Sequence, residues 1–428
     1  MTSFISMPDK KPANSVERDI RRVKDAAHIL TGLDENKRKA VLMSLAQGLV
    51  ARADDILAAN AKDLEAMAKD DPRYDRLALN RERLAGIARD VEKVANLPSP
   101  LGTVLSEKTM PNGLAIRKIS VPLGVVGVIY EARPNVTVDV FALCFKAGNA
   151  CVLKGGKEAQ HSNTILADAI RQALGSQNIS PDIVYLMPPD REATKFLLEA
   201  VGVVDVCIPR GSQQLIDWVR QNAKVPVIET GAGIVHTYFD RSGDLEKGRN
   251  IVFNAKTRRV SVCNALDTLL IHKDRLGDLP ALVAPLAGKD VEIFADDVSF
   301  SKLEKTYPNK LLHHAKPEDF GREFLSYKMS VKAVGSLDEA LMHIRQHTSS
   351  HSEAIITEEK AAAERFMNSV DAAAVYLNTS TAFTDGGEFG MGAEIGISTQ
   401  KLHARGPMGI DALTSYKWLV FGNGQTRS

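Results

Sequence analysis

The sequence predicts an α/β fold in which parallel strands alternate with helices. Short apolar runs typical of buried strands, VVGVIY, NACVLK, IVYLMP and VDVCIP, are separated by stretches of helical periodicity such as TILADAIRQAL and DREATKFLLEAV. Strands that alternate with helices in this way form βαβ units, with helices on both faces of a parallel sheet. The length of 428 residues predicts two or three domains.

The region before the first of these strands is predicted to be helical. From Val16 to about Ala95, apolar residues recur at spacings of three and four, as they do along one face of a helix. LPSPLG, at residues 97–102, breaks this pattern. GLAIRKISVPLG then alternates apolar with polar residues and predicts a strand suited to a hairpin. VPVIE, at residues 225–229, is predicted as a further strand.

The second half of the chain predicts the same alternation. ALDTLLIH, EAIIT and AAVYLN are predicted strands, and the tail LTSYKWLVFGNG has the residue types of an edge or hairpin strand. A helix is predicted to begin at Ser336, because Glu339 three residues later completes a capping box.

Composition and charge exclude several classes of protein. Apolar residues make up 44% and charged residues 25% of the chain, as in ordinary soluble globular proteins. With 54 basic and 53 acidic residues, nothing favours nucleic acid or a membrane surface as a partner. No apolar run is long enough to span a membrane, and the polar start MTSFISMPDKKPANS lacks a secretory signal. Four cysteines without a CxxC motif favour a reducing cytoplasm.

The sequence offers one candidate for binding a nucleotide phosphate. It contains neither GxxxxGK[ST] nor a complete GxGxxG, and Gly231-Ala232-Gly233 lacks the third glycine. Arg210, Gly211 and Ser212 follow the strand VDVCIP and precede a predicted helix, whose free N–H groups can hold a pyrophosphate. An ordinary strand-to-helix turn explains the same residues.

A candidate nucleophile lies in the segment TRRVSVCNA. Its Cys263 follows a polar loop with Arg258 and Arg259, whereas the other cysteines lie in apolar stretches and are predicted to be packed small side chains. Nearby guanidinium groups favour the thiolate, which is the form that attacks. A core cysteine at the start of a strand is the alternative.

Metal binding is not predicted. His343, His347 and His351 are spaced four residues apart, but Ser349 and Ser350 are expected to end that helix before the third histidine. No cysteine or glutamate completes a tetrahedral set of ligands.

Several longer strings resemble one known family. YEARPNVTVDVFALCFKAGNACVLKGGKEAQHSN, IPRGSQQLI, VIETGAG, NAKTRRVSVCNALDTLLIH, SSHSEAIIT and LHARGPMGIDALTSYKW closely resemble the gamma-glutamyl phosphate reductases, a branch of the aldehyde dehydrogenase superfamily. The resemblance runs from about residue 20 to 425. It implies an aldehyde dehydrogenase-like fold: a Rossmann-like NADP(H)-binding domain at 1–108 and 122–238, an α/β catalytic domain at 239–402, and a β-hairpin oligomerisation arm at 109–121 and 403–428.

The resemblance also implies roles for individual residues. Cys263 matches the superfamily nucleophile, and Asn135 matches the asparagine whose amide joins the nucleophile's N–H in an oxyanion hole. Glu229 stands where hydrolytic relatives carry a water-activating glutamate. The residues implied at the cofactor are Lys154 at the adenosine ribose and, by a looser match, Glu323 at the nicotinamide ribose.

Lys157 departs from the pattern of NAD-preferring relatives. They carry a glutamate at this position, which binds the ribose 2′-hydroxyl. A lysine there suits a 2′-phosphate instead, so the sequence predicts NADP(H) as the cofactor.

The implied substrate is L-glutamyl 5-phosphate, which is reduced to L-glutamate 5-semialdehyde in proline biosynthesis. A departing phosphate calls for cations, and arginine's planar fork suits its oxygens. The candidates are Arg133, Arg258, Arg259 and Arg405, each of which could instead form a surface or interface ion pair. The resemblance also implies a homo-oligomer and is compatible with an association with glutamate kinase.

Two alternatives stay open at the level of the sequence. A hydrolytic or CoA-acylating semialdehyde dehydrogenase would share the fold and the nucleophile. A catalytically silent dinucleotide-binding or scaffold protein would share the fold alone, but Cys263, Asn135 and Lys154 occur together here, which disfavours it.

Overall fold

The computed structural model of the chain describes residues 13–71 and 73–427. Most of the predicted polar start, residues 1–12, lies outside these ranges. Within them, every helix is too short or too polar to cross a membrane.

The described residues form fourteen α-helices, and short 3₁₀ segments occur in several of the connections. Their bounds are α1 (Ala13–Ala26), α2 (Glu35–Ala51), α3 (Ala53–Glu65), α4 (Tyr74–Leu77), α5 (Arg81–Asn96), α6 (Asn135–Lys146), α7 (Gln160–Ser176), α8 (Arg191–Glu199), α9 (Gln213–Asn222), α10 (Leu245–Thr257), α11 (Leu279–Ala287), α12 (Asp297–Leu303), α13 (Leu337–His347) and α14 (Lys360–Ser369).

Sixteen strands lie in the same ranges. Their bounds are β1 (Val104–Thr109), β2 (Ala115–Pro122), β3 (Val125–Tyr130), β4 (Ala150–Lys154), β5 (Val184–Leu186), β6 (Val206–Arg210), β7 (His236–Phe239), β8 (Thr268–His272), β9 (Glu292–Ala295), β10 (Leu312–His314), β11 (Lys328–Val334), β12 (Ser352–Ile356), β13 (Ala374–Leu377), β14 (Ile397–Ser398), β15 (Gly406–Pro407) and β16 (Thr414–Phe421).

The chain folds into two compact units. Unit 1 comprises the described residues of 1–229, 390–396 and 408–428, and unit 2 comprises 230–389 and 397–407. Each unit contains a parallel sheet with helices between its strands, which confirms the predicted α/β class. The assignment of cofactor binding to 1–108 and 122–238, of catalysis to 239–402 and of assembly to the arm stays a prediction.

The central sheet of unit 1 has the strand order β5-β4-β3-β6, and all of its pairs are parallel. All six residues of β3 are buried, as expected for a strand covered on both faces. The chain runs from β3 outward to β5 and then returns to place β6 on the other side of β3. The loops after β3 and β6 therefore leave a topological switch point, where ligands bind in sheets of this kind.

A second sheet of unit 1 contains the predicted hairpin. β1 and β2 are antiparallel neighbours, and β16 pairs with β2 along its whole length, from Thr414 opposite Pro122 to Phe421 opposite Ala115. This sheet is exposed: all six residues of β1 are exposed, and large apolar side chains of β16 face solvent, among them Tyr416, Trp418 and Val420.

Unit 2 is built on a seven-stranded parallel sheet with the order β10-β9-β11-β8-β7-β12-β13. Its central strand β8 is fully buried, and the main apolar core packs around it. The predicted cap is confirmed at α13, where the side chain of Ser336 accepts a hydrogen bond from the Glu339 N–H. The Glu339 carboxylate in turn accepts from the Gly335 N–H at 2.6 Å.

The prediction of a strand at residues 225–229 is wrong. This segment makes a single bridge, between Val227 and Cys207. Pro226 has no N–H to donate to a ladder, and its carbonyl accepts from Cys207 at 2.8 Å. The segment therefore touches the edge of β6 and then leaves the sheet.

Candidate active site

The carboxyl edge of the unit 1 sheet gathers most of the predicted cofactor residues. Lys154 ends β4 and Arg210 ends β6, on either side of β3. The register places Lys154 opposite Ile129, and Arg210 opposite Tyr130. Both cationic side chains thus lie at the strand ends that border the switch point.

A carboxylate that the sequence did not predict occupies the N-terminus of α9. Glu131, directly after β3, accepts hydrogen bonds from the Ser212 N–H at 2.8 Å and from the Ser212 hydroxyl at 2.9 Å. A Cβ at Gly211 would lie 2.6 Å from the same carboxylate. The Ser212 donors that the sequence predicted for a phosphate therefore bind a carboxylate of the chain itself, and their role toward a cofactor stays a prediction.

The fit of a cofactor phosphate to this place has a second observation in its favour. The Nε of Arg210 is buried and makes no hydrogen bond to any residue that the structure describes. A buried guanidinium nitrogen without an acceptor is unusual, because no hydrogen bond offsets the free energy lost when the group leaves water. The absence of a side chain at Gly211 permits a close approach to the backbone, and the Glu131 carboxylate takes up that space here.

Asn135 is the first residue of α6, and its position is fixed by its own helix. Its Nδ2 donates to Oδ2 of Asp139, one turn later, at 2.8 Å. The preceding turn is closed by the Arg133 N–H, which donates to the Glu131 carbonyl at 2.6 Å, and by the Val136 N–H, which donates to the Arg133 carbonyl. Arg133 is half-buried in this turn.

Lys154 and Lys157 lie on a short connection between β4 and α7. Burial lowers the pKa of Lys154, while Glu158 and Asp190 act in the opposite direction. Lys157 is exposed at the start of a 3₁₀ turn. The Glu158 carboxylate folds over Gly156, where a Cβ would lie 2.3 Å from it.

Glu229 is the last residue of the first and longest segment of unit 1. Its carboxylate lies 3.4 Å from the Arg220 guanidinium, which also binds Asp217 at 2.8 Å. The Glu229 side chain is 18% exposed. The Arg220 contact therefore ties Glu229 to the last turn of α9.

In unit 2, Cys263 lies on the loop between α10 and β8 and is half-buried, whereas Cys144, Cys151 and Cys207 are buried in unit 1. Burial raises the pKa of each of these three thiols. Their low thiolate content and lack of access match the predicted packing role. Cys263 is thus the one half-buried cysteine of the chain.

Side chains on both sides of Cys263 hold its loop. The Lys256 ammonium, fully buried, donates to the Leu266 carbonyl at 2.9 Å. The Asn264 amide donates to the Thr384 carbonyl at 3.0 Å, and the Asn264 carbonyl accepts from the Thr381 hydroxyl at 2.8 Å. The backbone around Cys263 is therefore fixed by buried polar contacts.

The Gly231–Gly233 turn packs directly against the backbone of Cys263. A Cβ on Gly233 would lie 1.5 Å from the carbonyl oxygen of Cys263. Glu323, predicted at the nicotinamide ribose, accepts from the Gly233 N–H at 2.8 Å. The structure thus gives Glu323 a contact with this turn, and its role toward a cofactor stays a prediction.

Asp267 joins three segments next to this loop. Its carboxylate accepts from the Phe324 N–H at 2.9 Å and from the Val235 N–H at 3.3 Å. Burial lowers the pKa of Lys256 and raises that of Asp267, and each partner's charge opposes the shift of the other. A pair of this kind is costly to break, because a lone buried charge would be left behind.

The predicted phosphate-binding arginines have different settings. Arg258 and Arg259 are exposed just after α10. Arg405 lies 2.7 Å from Asp371, which Lys401 also approaches at 2.5 Å. Hydrogen bonds from Lys401 and Arg405 lower the pKa of Asp371. Unit 2 therefore holds three of the four arginines, and Arg133 belongs to unit 1.

His343 and His351 of the histidine-rich segment are buried. α13 ends at His347, before Ser349, as expected from the sequence. Burial lowers the pKa of His343 to about 3 and that of His351 to about 4. Among residues 13–71 and 73–427, no group of His, Cys, Asp and Glu has the arrangement of a metal site.

The chain is similar to known proteins over most of its length. A model of the aldehyde dehydrogenase family matches residues 3–288, so the chain belongs to that family. It is 60% identical over 412 residues to "Gamma-glutamyl phosphate reductase" of Legionella pneumophila (strain Paris), covering 96% of this chain and 99% of the relative. The relative of that name from Pelodictyon phaeoclathratiforme is 58% identical, with 96% and 99% covered. Within the aldehyde dehydrogenases, this is a member of the gamma-glutamyl phosphate reductases.

Solved structures agree with this placement. The crystal structure of gamma-glutamyl phosphate reductase from Thermotoga maritima is 37% identical and has a TM-score of 0.92, covering 96% of this chain and 100% of that one. Glyceraldehyde-3-phosphate dehydrogenase from Methanocaldococcus jannaschii, complexed with NADP, is 14% identical and has a TM-score of 0.70, covering 98% and 97%. The second comparison supports the fold alone.

The close contact at Gly233 gives a first prediction. Gly233→Ala must push the Cys263 loop aside, so we expect activity to fall about a hundredfold, as for a misplacement of the reacting group by an ångström. Alkylation of Cys263 by iodoacetamide should change in rate as well. Gly175→Ala is the matched control, because nothing lies within 4 Å of a Cβ there. Wild-type activity in Gly233→Ala would contradict this packing.

Proposed function

We propose that this chain reduces L-glutamyl 5-phosphate to L-glutamate 5-semialdehyde and phosphate, the second step of proline biosynthesis from glutamate. The observation that carries the proposal is the setting of Cys263: a half-buried thiol on a loop immobilised from both sides. Its relatives, similar over nearly their full length, are named for the same reaction.

In the proposed reaction, the Cys263 thiolate attacks the acyl carbon, and a sulfur–carbon bond forms. Negative charge collects on the carbonyl oxygen, for which we propose the Asn135 amide and the Cys263 N–H as donors. Donors of this kind are typically worth about 10²–10³ in rate. The carbon–oxygen bond to phosphate then breaks, which leaves a thioester.

The remaining steps return the thiol. When bound, the reduced nicotinamide cofactor supplies the hydride that turns the thioester carbon into a thiohemiacetal. Loss of the hydroxyl proton breaks the sulfur–carbon bond, releases the aldehyde and regenerates Cys263. No water enters this sequence, so we assign Glu229 no water-activating role, consistent with its ion pair to Arg220.

For the phosphate group of the substrate, we propose arginine contacts from the set Arg133, Arg258, Arg259 and Arg405. Arg258 and Arg259 are exposed near Cys263 in sequence and are the stronger candidates. Arg405 would first have to give up part of its pairing with Asp371. We propose Lys154, Lys157, Arg210, Gly211, Ser212 and Glu323 for the cofactor.

We further propose that the chain works as a cytoplasmic homo-oligomer. The exposed apolar side chains of β16 give the antiparallel sheet of unit 1 a surface that association would cover. An association with glutamate kinase would suit a labile acyl phosphate, which is protected when it passes directly between enzymes.

The reaction predicts a strict requirement in the reverse direction. NADP⁺ reduction by glutamate semialdehyde should need inorganic phosphate, because phosphate must cleave the thioester. Cys263→Ser should abolish this reaction while the binding of NADPH, followed by its fluorescence, is retained. Turnover without phosphate would instead indicate a hydrolytic enzyme. Turnover by Cys263→Ser would exclude Cys263 as the nucleophile.

The occupied N-terminus of α9 predicts competition with the cofactor. A pyrophosphate can take the Ser212 donors only if the Glu131 carboxylate leaves them. Glu131→Gln weakens that contact, so we expect NADPH to bind about tenfold more tightly. Adenosine 2′-phosphate, which has no pyrophosphate, should bind the variant and the wild type equally. Weaker binding of NADPH would show that Glu131 orders the site rather than blocking it.

Lys157 predicts the preference between the two cofactors. Lys157→Glu replaces a cation that suits the 2′-phosphate by an anion that repels it, so the NADPH/NADH ratio of kcat/KM should fall about tenfold. Lys37→Glu, an exposed site on α2, is the control and should leave the ratio unchanged. An unchanged ratio in Lys157→Glu would remove this residue from the cofactor site.

A further inference from the structure

Asp139 is the acceptor for the side chain proposed as the oxyanion donor. α6 begins at Asn135, so Asp139 lies one turn further along the same helix face. The Nδ2 of Asn135 donates to Oδ2 of Asp139 at 2.8 Å. Asp139 has no role in the reaction described above. Among the described residues, Asn135 is the one side chain to which Asp139 is hydrogen-bonded.

The two ends of an asparagine amide have nearly the same shape, but they differ in chemistry. An ionised carboxylate can only accept, so it selects the orientation in which the NH₂ end faces it. One N–H is used in this contact, and the second is left to donate elsewhere. In the inverted amide, an oxygen lone pair would take the place of that second N–H.

We propose that Asp139 is a positioning residue: its ionised carboxylate fixes the amide of Asn135 in the orientation that leaves an N–H for the oxyanion. The proposal rests on the oxyanion role proposed for Asn135. A protonated Asp139 could donate to the amide oxygen and would stabilise the inverted orientation too. The selection is therefore lost when the carboxyl gains a proton.

The surroundings of Asp139 determine the pH at which the selection of the Asn135 amide orientation is lost, and this pH lies in a measurable range. Burial raises the pKa of Asp139 to about 7, and the hydrogen bond from Asn135 opposes the shift. The charged groups that face it are Asp90 on α5, which raises the pKa further, and Arg210 at the end of β6, which lowers it. Activity that needs the ionised form should then fall as the pH drops through the pKa.

Asp139→Asn tests the assignment, since asparagine presents a donor and an acceptor and selects neither orientation. We expect kcat to fall about tenfold at high pH, less than the full loss of an oxyanion donor. The substrate KM, the NADPH Kd and the Tm should stay close to wild type. The ratio of wild-type to variant kcat should shrink as the pH drops through the pKa of Asp139, and the titration of phosphate cancels in that ratio.

Asp90→Asn is the control that separates positioning from structure. Removing this neighbouring anion should shift the acidic limb of the wild-type profile to lower pH and leave the plateau unchanged. In the Asn135→Ala background, Asp139→Asn should have no further effect on kcat.

The proposal would be overturned by a wild-type kcat in Asp139→Asn, by a ratio independent of pH, or by a loss of kcat that persists in Asn135→Ala. A fall in kcat matched by a fall in Tm and in NADPH affinity would also overturn it, because a structural role explains that pattern. The phosphate requirement of the reverse reaction tests the proposed function separately, since it does not depend on Asp139.

Discussion

The parallel pairing of β3 with β4 and β6 is the constraint on which the proposed cofactor residues of unit 1 depend. The register sets Lys154 beside Ile129 and Arg210 beside Tyr130, and the chain leaves β3 at Glu131. A slip of one residue would turn every side chain of a buried strand to the opposite face. The burial of β3 on both faces thus also fixes the turn that leads into α6, which begins at Asn135.

Cys263, the proposed nucleophile in unit 2, is held in place by a different means. Cys263 lies on irregular backbone, which no strand ladder can order, and buried polar side chains do so instead. Lys256, Asn264 and Asp267 each satisfy backbone groups of that loop or of the segments beside it. Networks of this kind rigidify a site when every member is paired and weaken it when one is lost.

The sequence predicted the regular elements because buried parallel strands are short apolar runs, and because helices carry apolar residues at spacings of three and four. It also singled out Cys263 by its cationic surroundings. The strand at residues 225–229 was wrong because an apolar run with Pro226 cannot complete a ladder. The occupation of α9 by Glu131 and the contact at Gly233 depend on distant segments, so no local pattern reports them. Asp139 could have been found from its spacing to Asn135.

The pairing of β16 with β2 has a consequence for how the protein is made. β2 is complete by Pro122, whereas its partner begins at Thr414, after all of unit 2. During synthesis, the edge of β2 that later pairs with β16 therefore stays unpaired while all of unit 2 leaves the ribosome. Open edges invite pairing with other chains, and such long-range closure is slow. Unit 1 can be completed only after unit 2 has been synthesised, which makes the nascent chain, rather than the finished enzyme, the stage most exposed to aggregation.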